Sequence, residues 1–308
     1  MLALLLTAAI VVEDRVPLRA AAADTAPRQE ILFRGDWLEV RGERNGWVQV
    51  WDHRHERPGY LREGRVRTYV LDEKTAPALA AVVDFLRDSP GQESLGIGYA
   101  ALYLKATPPA AVGSPIFDAL GTMADRLARR ASAKQAGPQD VVLPGQLAVA
   151  ESYGVHFERF EEGDHTRVCY DGEAFRRVLA MPASPVEKQR AAFALTRPEC
   201  ARPDTPPPQL FAWNEWRREV LRHVDPNAVP AWLGNRLRLR RAEVESQLAF
   251  AWARKNDLDR ARAAADESLR QLALVNKADL SPDDEPLREE TAIRVGVARA
   301  AATTSLCG

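Results

Sequence analysis

Three cysteines and five histidines offer this 308-residue chain most of its reactive side chains. Cys169, Cys200 and Cys307 all lie in the second half. A thiol becomes a nucleophile where a helix N-terminus and a nearby base stabilise its thiolate. Cys169 precedes a stretch of helical spacing, and His156, His165 and His223 are present as bases. The competing reading is structural. Cys169 stands just before a predicted pair of short helices and Cys200 just after it. In an antiparallel pair the outer ends lie side by side, within the roughly 4.4–6.8 Å Cα separation that a disulfide spans. A Cys169–Cys200 disulfide is therefore expected, with Cys307 free, paired elsewhere or linking two chains.

Metal and cofactor chemistry finds little support. His53 and His55 are two apart beside Asp52 and Glu56, and on a strand they would point to opposite faces. Asp52 to Arg57 reads as a polar loop between strands, and no metal is expected. Cys-x-x-Cys, His-Glu-x-x-His, a phosphate loop, a dinucleotide glycine fingerprint and Gly-x-Ser-x-Gly are all missing from the sequence, so no cofactor is expected either. Arg236, Arg238, Arg240 and Arg241 are the densest cationic cluster, with Glu243 and Glu245 close behind. Spread around a helix, they read as a solvated surface. With a formal net charge of −1, nothing here predicts nucleic-acid binding. Trp213 and Trp216, with Leu210, Phe211 and Val220, form a stripe that packs a core or presents an aromatic platform to a glycan.

Two kinds of element must carry these residues. Residues 10–71 read as short strands broken by turns: Val16–Arg19, Ile31–Phe33, Trp37–Val40, Trp47–Trp51, and Gly59–Leu61 leading to Val66–Val70. Arg44-Asn45-Gly46 carries the Asn-Gly signal of a tight hairpin. Such a run predicts a small β-barrel. Trp37, Trp47, Trp51 and Tyr60 are four large aromatics in this small region, some expected in its core and others in a binding groove. Period-two alternation puts Trp47, Gln49 and Trp51 on one face and Val48 and Val50 on the other, with the valines as core.

From Asp72 the period becomes helical. Helices are predicted around Leu79–Leu86, Leu95–Lys105 and Ser114–Ala131. Leu147 to Tyr170 fits a helix or a hairpin, and is read as helix first, hairpin after. Further helices run from Asp171 to Met181 and from Ser184 to Thr196. Residues 72–200 thus form a helical region with a possible hairpin, 201–208 a proline-rich extended connector, and 209–308 a second helical region. Its helices are expected at Gln209–Val224, Pro230–Lys255, Leu258–Lys277 and Asp284–Thr303. The fold class is multidomain: a small β-barrel, then a mainly α-helical part.

Asn45-Gly46-Trp47-Val48-Gln49-Val50, followed by Gly59-Tyr60-Leu61, resembles the central hairpin and last strand of bacterial SH3 domains. The resemblance covers about a fifth of the chain and departs from the family after Arg19, where alanines replace the usual Gly-Pro. It implies an SH3-like barrel that recognises peptidoglycan or an envelope protein or peptide through Trp37, Trp47, Trp51 and Tyr60. Cell-wall cysteine peptidases often carry such domains, so a peptidase, or a degenerate descendant of one, is the rival reading. The Cys169-Tyr170-Asp171-Gly172 context does not resemble the nucleophile motif of those enzymes. Leu248 to Leu269 resembles a single tetratricopeptide helix–turn–helix unit, with no second copy at a fixed period.

Residues 1–9, an apolar run ending in small residues, read as the end of a secretory signal whose start lies upstream, the alternative being a first strand. The run is too short to span a membrane. Together these features predict a non-catalytic binding or scaffold protein, periplasmic or extracellular.

Overall fold

The computed structural model describes residues 6–133, 141–280 and 284–303. Seven antiparallel strands come first: β1 (Thr7–Val11), β2 (Val16–Arg19), β3 (Arg28–Leu32), β4 (Trp37–Arg44), β5 (Trp47–Asp52), β6 (Arg57–Arg62) and β7 (Val66–Val70). Their order in the sheet is β3-β2-β6-β5-β4-β1-β7, and the edge strands β3 and β7 do not pair, so the sheet is not closed. Asn45 and Gly46 both take positive φ, 53° and 75°, giving the two-residue turn that the Asn-Gly pair predicted between β4 and β5.

The apolar run at the start has a structural explanation. From Thr7 onward it is β1, paired with β4 on one side and with β7 on the other. Ala9 and Val11 face the sheet core, while Ile10 lies under Gly98 of a helix on the opposite face. A strand covered on both faces has no reason to alternate, and its sequence becomes continuously apolar. Ala8 and Ala9 take part in both ladders and Thr7 in the one with β7.

Helices α1 (Ala76–Arg87), α2 (Glu93–Ala106), α3 (Ser114–Ala131) and α4 (Leu143–Ser152) follow, then the hairpin of β8 (Phe157–Glu162) and β9 (His165–Tyr170), and α5 (Glu173–Ala180). The helix-then-hairpin order between Leu147 and Tyr170 is as predicted. The chain divides into two compact units, Met1–Arg177 and Val178–Gly308, rather than at Asp72 or at the proline-rich stretch. The first unit holds together because the turn before β4 is clasped by α2 and α4. Gly35, at φ +97°, sits so close to α2 that a Cβ would stand 2.2 Å from the Ser94 carbonyl oxygen. Tyr153, just past α4, donates its hydroxyl to Gly35 O at 2.5 Å and accepts from Trp37 N at 3.0 Å. Gln146 of α4 donates to both carboxylate oxygens of Asp14, at 3.0 and 3.1 Å.

The second unit contains α6 (Pro185–Leu195), α7 (Pro207–Arg222), α8 (Ala231–Arg254), α9 (Leu258–Ala273) and α10 (Glu285–Thr303). Ser184 and Glu187 close a reciprocal capping box on α6. Pro207 and Pro208 are not connector but the first turn of α7, where a missing N–H costs nothing. α8 and α9 form a helical hairpin, and α10 packs on both. Their core is largely alanine, with Ala249, Ala253, Ala261, Ala264 and Ala265 letting the backbones approach closely.

The arginine cluster on α8 is not a solvated surface. Arg240 is buried, donates to Thr196 O at 2.5 Å and lies over the Phe193 ring; burial lowers its pKa to about 10. Arg241 donates to Leu221 O and Val224 O at the end of α7. These guanidiniums satisfy the orphan carbonyls of neighbouring helix ends. Arg217 of α7 is fully buried, bonded to Thr196 O (3.0 Å), Asn214 (3.0 Å) and Glu243 (3.2 Å).

Candidate functional site

The sheet's core is aliphatic: Ala9, Val11, Val16, Leu18, Leu32, Leu38, Val48, Val50, Leu61 and Val66. None of the four aromatics singled out in the sequence belongs to it. Val48 and Val50 are the core side of β5, as alternation predicted, so Trp47 and Trp51 take the opposite face. Trp47 is nonetheless buried there, because Arg62 of β6 lies over its ring at 4.2 Å, itself ion-paired to Asp24. Trp37 is half-buried, with Lys105 of α2 above it at 4.7 Å and the His53 ring 5.6 Å away. Trp51 and Tyr60 are half-buried beside exposed Gln49. The face is aromatic but largely occupied by the chain's own cations.

The histidines are also engaged. His55 shares a 2.6 Å hydrogen bond with buried Asp52, and His53 a 2.9 Å one with Glu39. Among the described residues no group of three or more His, Cys, Asp or Glu side chains could hold a metal ion. Cys169 and Cys200 are disulfide-bonded, as their positions around the α5–α6 pair predicted. A disulfide-bonded Cys169 has no thiolate to attack a substrate. Cys307 lies outside the described residues. Among the described residues no helix is long and apolar enough to cross a membrane.

The larger opportunity lies in the second unit. α7 and α10 both pack on α8, and a groove of about 750 Å³ opens between them. Each helix contributes one strip at helical spacing: Leu210, Phe211 and Asn214 from α7, Ser246, Phe250 and Arg254 from α8, Ile293, Val297 and Ala298 from α10. Pro198, Ala201 and Pro207 border it. Its apolar side chains are open to solvent: Ile293 is 69 % exposed, Val297 56 % and Phe250 41 %. The floor is rigid, with Phe211 edge-on to Trp252 at 4.7 Å and Lys255 Nζ 3.5 Å over the Phe211 ring. The charged lining residues are Arg254, Lys255 and Arg294, all cationic. An exposed apolar patch rimmed by one sign of charge is the usual mark of an interaction surface.

No family model, curated protein or solved structure matches the chain. The groove must therefore be read from its own geometry. Sequence reasoning passed over Ile293 and Val297, although a signal was there. The buried stripe of α10 is Thr291, Val295, Ala298, Ala301 and Ala302. Ile293 and Val297, four apart, lie off that stripe, so α10 carries apolar residues on a second face that its own core does not use. The Trp213–Trp216 stripe proved mixed: Trp213 stacks on Arg217 at 4.4 Å and lines the groove, whereas Trp216 is exposed elsewhere.

Proposed function

We propose that this protein is a non-catalytic, exported binding or scaffold protein of the cell envelope that holds a partner polypeptide in the α7–α8–α10 groove. The observation carrying this reading is the pairing of exposed Leu210, Phe250, Ile293 and Val297 with a lining whose charges are all positive. Its complement is an amphipathic helix with apolar residues at i, i+3/i+4 and i+7 and acidic residues on its flanks. Export is supported by the Cys169 and Cys200 disulfide, which persists in oxidising compartments.

A selection from a randomised peptide library tests the reading, with the full chain and a Phe250→Glu/Val297→Glu variant as baits. Both replaced residues are solvent-exposed, so the fold should survive, which circular dichroism checks. Enriched peptides should combine helical apolar spacing with Asp and Glu, and the variant should lose them. Enrichment indifferent to the two substitutions would sink the groove. A second reading follows from the SH3-like resemblance: half-buried Trp51 and Tyr60 beside exposed Gln49 offer a site for peptidoglycan or a partner peptide. Sedimentation with purified peptidoglycan, compared between the protein and its Trp51→Ala variant, tests it. Binding that Trp51→Ala leaves unchanged would remove this face from consideration.

A further inference from the structure

A cleft of a different kind lies in the first unit, along α1. Ala76, Pro77, Ala80, Val83 and Asp84 recur at helical spacing and form one strip of that helix. At 1.5 Å per residue the strip is about 12 Å long. Tyr103 of α2 and the segment joining α2 to α3 stand across from it. Two hollows open between them, of about 300 and 340 Å³, and both are lined by Ala80, Tyr103 and Ala111, so they are two lobes of one cleft. Pro77, Pro108 and Pro115 are exposed in its walls. Proline rings have little freedom to rearrange, so the shape is set before anything binds.

The polar groups of this cleft are uncommitted. Thr107 is 9 % exposed, and its Oγ1 is buried without a hydrogen-bond partner. A hydroxyl in that state costs free energy that a ligand carbonyl would recover. Tyr103, half-buried and shared by both lobes, has no hydrogen bond to a described residue through its hydroxyl. The charged lining residues are Glu73 and Asp84, one at each end of the strip and both acidic. Asp84 is paired with Arg87 at 2.9 Å, whereas Glu73 has no ion pair with a described residue. The lobe beside Glu73 also meets the end of α2 through Tyr103, Thr107 and Pro108, where the negative pole of that helix lies. Lys105, the basic residue of its last turn, is engaged over Trp37 instead.

These features select a ligand. A peptide in the polyproline conformation repeats every three residues, about 9 Å, and so sets one apolar side chain in each lobe within the length of the strip. Its carbonyls are free, and its prolines bring no N–H in need of an acceptor, which suits a wall whose uncommitted neutral groups are hydroxyls. The acidic end calls for Lys or Arg next to the apolar pair.

We infer that this cleft docks an extended, proline-containing segment of a partner protein, with an apolar side chain in each lobe and Lys or Arg at the Glu73 end. The site belongs to a different unit from the α7–α8–α10 groove and stands whether or not that groove binds a partner.

Fluorescence anisotropy of the full chain with three labelled peptides tests the assignment: Arg-Pro-Pro-Leu-Pro-Pro-Leu, the same peptide with Glu for Arg, and the same peptide with Ser for both Leu. The first should bind saturably, the second about fivefold more weakly or worse, and the third not at all. Thr107→Val removes the hydroxyl at nearly constant shape. It should weaken the first peptide about threefold to tenfold while leaving the melting temperature of the free protein unchanged or raised, since no internal hydrogen bond is lost. Glu73→Lys, at an exposed position, should weaken the Arg peptide and strengthen the Glu peptide. The Phe250→Glu/Val297→Glu variant, altered only in the groove, should bind the first peptide unchanged. Absence of saturable binding, equal binding of the three peptides, an affinity untouched by Thr107→Val or by Glu73→Lys, or binding lost in the groove variant would each overturn the proposal.

Discussion

Asp36 should make the first unit more stable in mild acid than at neutral pH, and Asp36→Asn should abolish that contribution. The carboxylate ends the turn clasped by α2 and α4, is 6 % exposed, accepts from Phe33 N at 2.8 Å and meets Arg54 at 3.4 Å. Burial, the largest influence, raises its pKa from 3.8 to about 6 in spite of those two partners. A carboxyl whose folded pKa exceeds its unfolded one holds its proton more tightly when folded. Its contribution is complete below pH 3.8 and is lost as the pH rises through about 6. The shift of about 2.2 units, at 1.36 kcal/mol per unit, makes the ionised form cost about 3 kcal/mol at pH 7.5. Asparagine carries no charge at any pH. The stability of Asp36→Asn minus that of the wild type should therefore rise by about 2–3 kcal/mol between pH 4 and pH 7.5, above any constant offset from losing the Arg54 contact. Urea denaturation at half-unit pH steps measures this difference. A difference that stays flat across the range would refute the reasoning.

Three further outcomes follow from the packing. Gly35→Ala places a methyl where the Ser94 carbonyl stands, in a backbone conformation that L-residues avoid, and should cost about 2–3 kcal/mol or more; Gly64→Ala, whose Cβ meets nothing, should stay within about 0.5 kcal/mol. Arg217→Met takes a buried donor from Asn214, Gln247 and Glu243 and leaves Arg240 as the remaining cation on Thr196 O and Glu243, and should cost about 3–5 kcal/mol by chemical denaturation. Reduction of the Cys169–Cys200 disulfide should lower stability by about 3.5 kcal/mol, from the loop-closure entropy of some 30 residues; thiol titration of the unreduced, unfolded protein should find neither Cys169 nor Cys200.

The elements written in local signals were the legible ones. The Asn45-Gly46 turn and the Ser184 start of α6 fix their boundaries by chemistry that acts within a few residues, whereas α3 begins at Ser114 with Pro115 in its first turn but is capped by Gly113, without a side-chain bond. What was hidden depends on partners distant in the chain. β1 is a continuous apolar run rather than an alternating one because α2, more than eighty residues on, covers its second face. Trp47 follows the alternation and still ends buried, because Arg62 folds over it. Arg240 and Arg241 look like a charged surface until the ends of α6 and α7 present carbonyls to them. The groove was least visible, since Leu210, Phe250 and Ile293 belong to three helices and become one surface only when α7 and α10 settle on α8.

The central claim is that the helical groove, rather than the aromatic face of the sheet, holds the partner. Hydrogen–deuterium exchange of the full chain, with and without a peptide from the library selection, tests it most directly. The account predicts new protection along Leu210–Asn214, Ser246–Arg254 and Ile293–Ala298, with Trp47–Arg62 unchanged. Protection confined to Trp47–Arg62 would contradict it and return the binding site to the sheet.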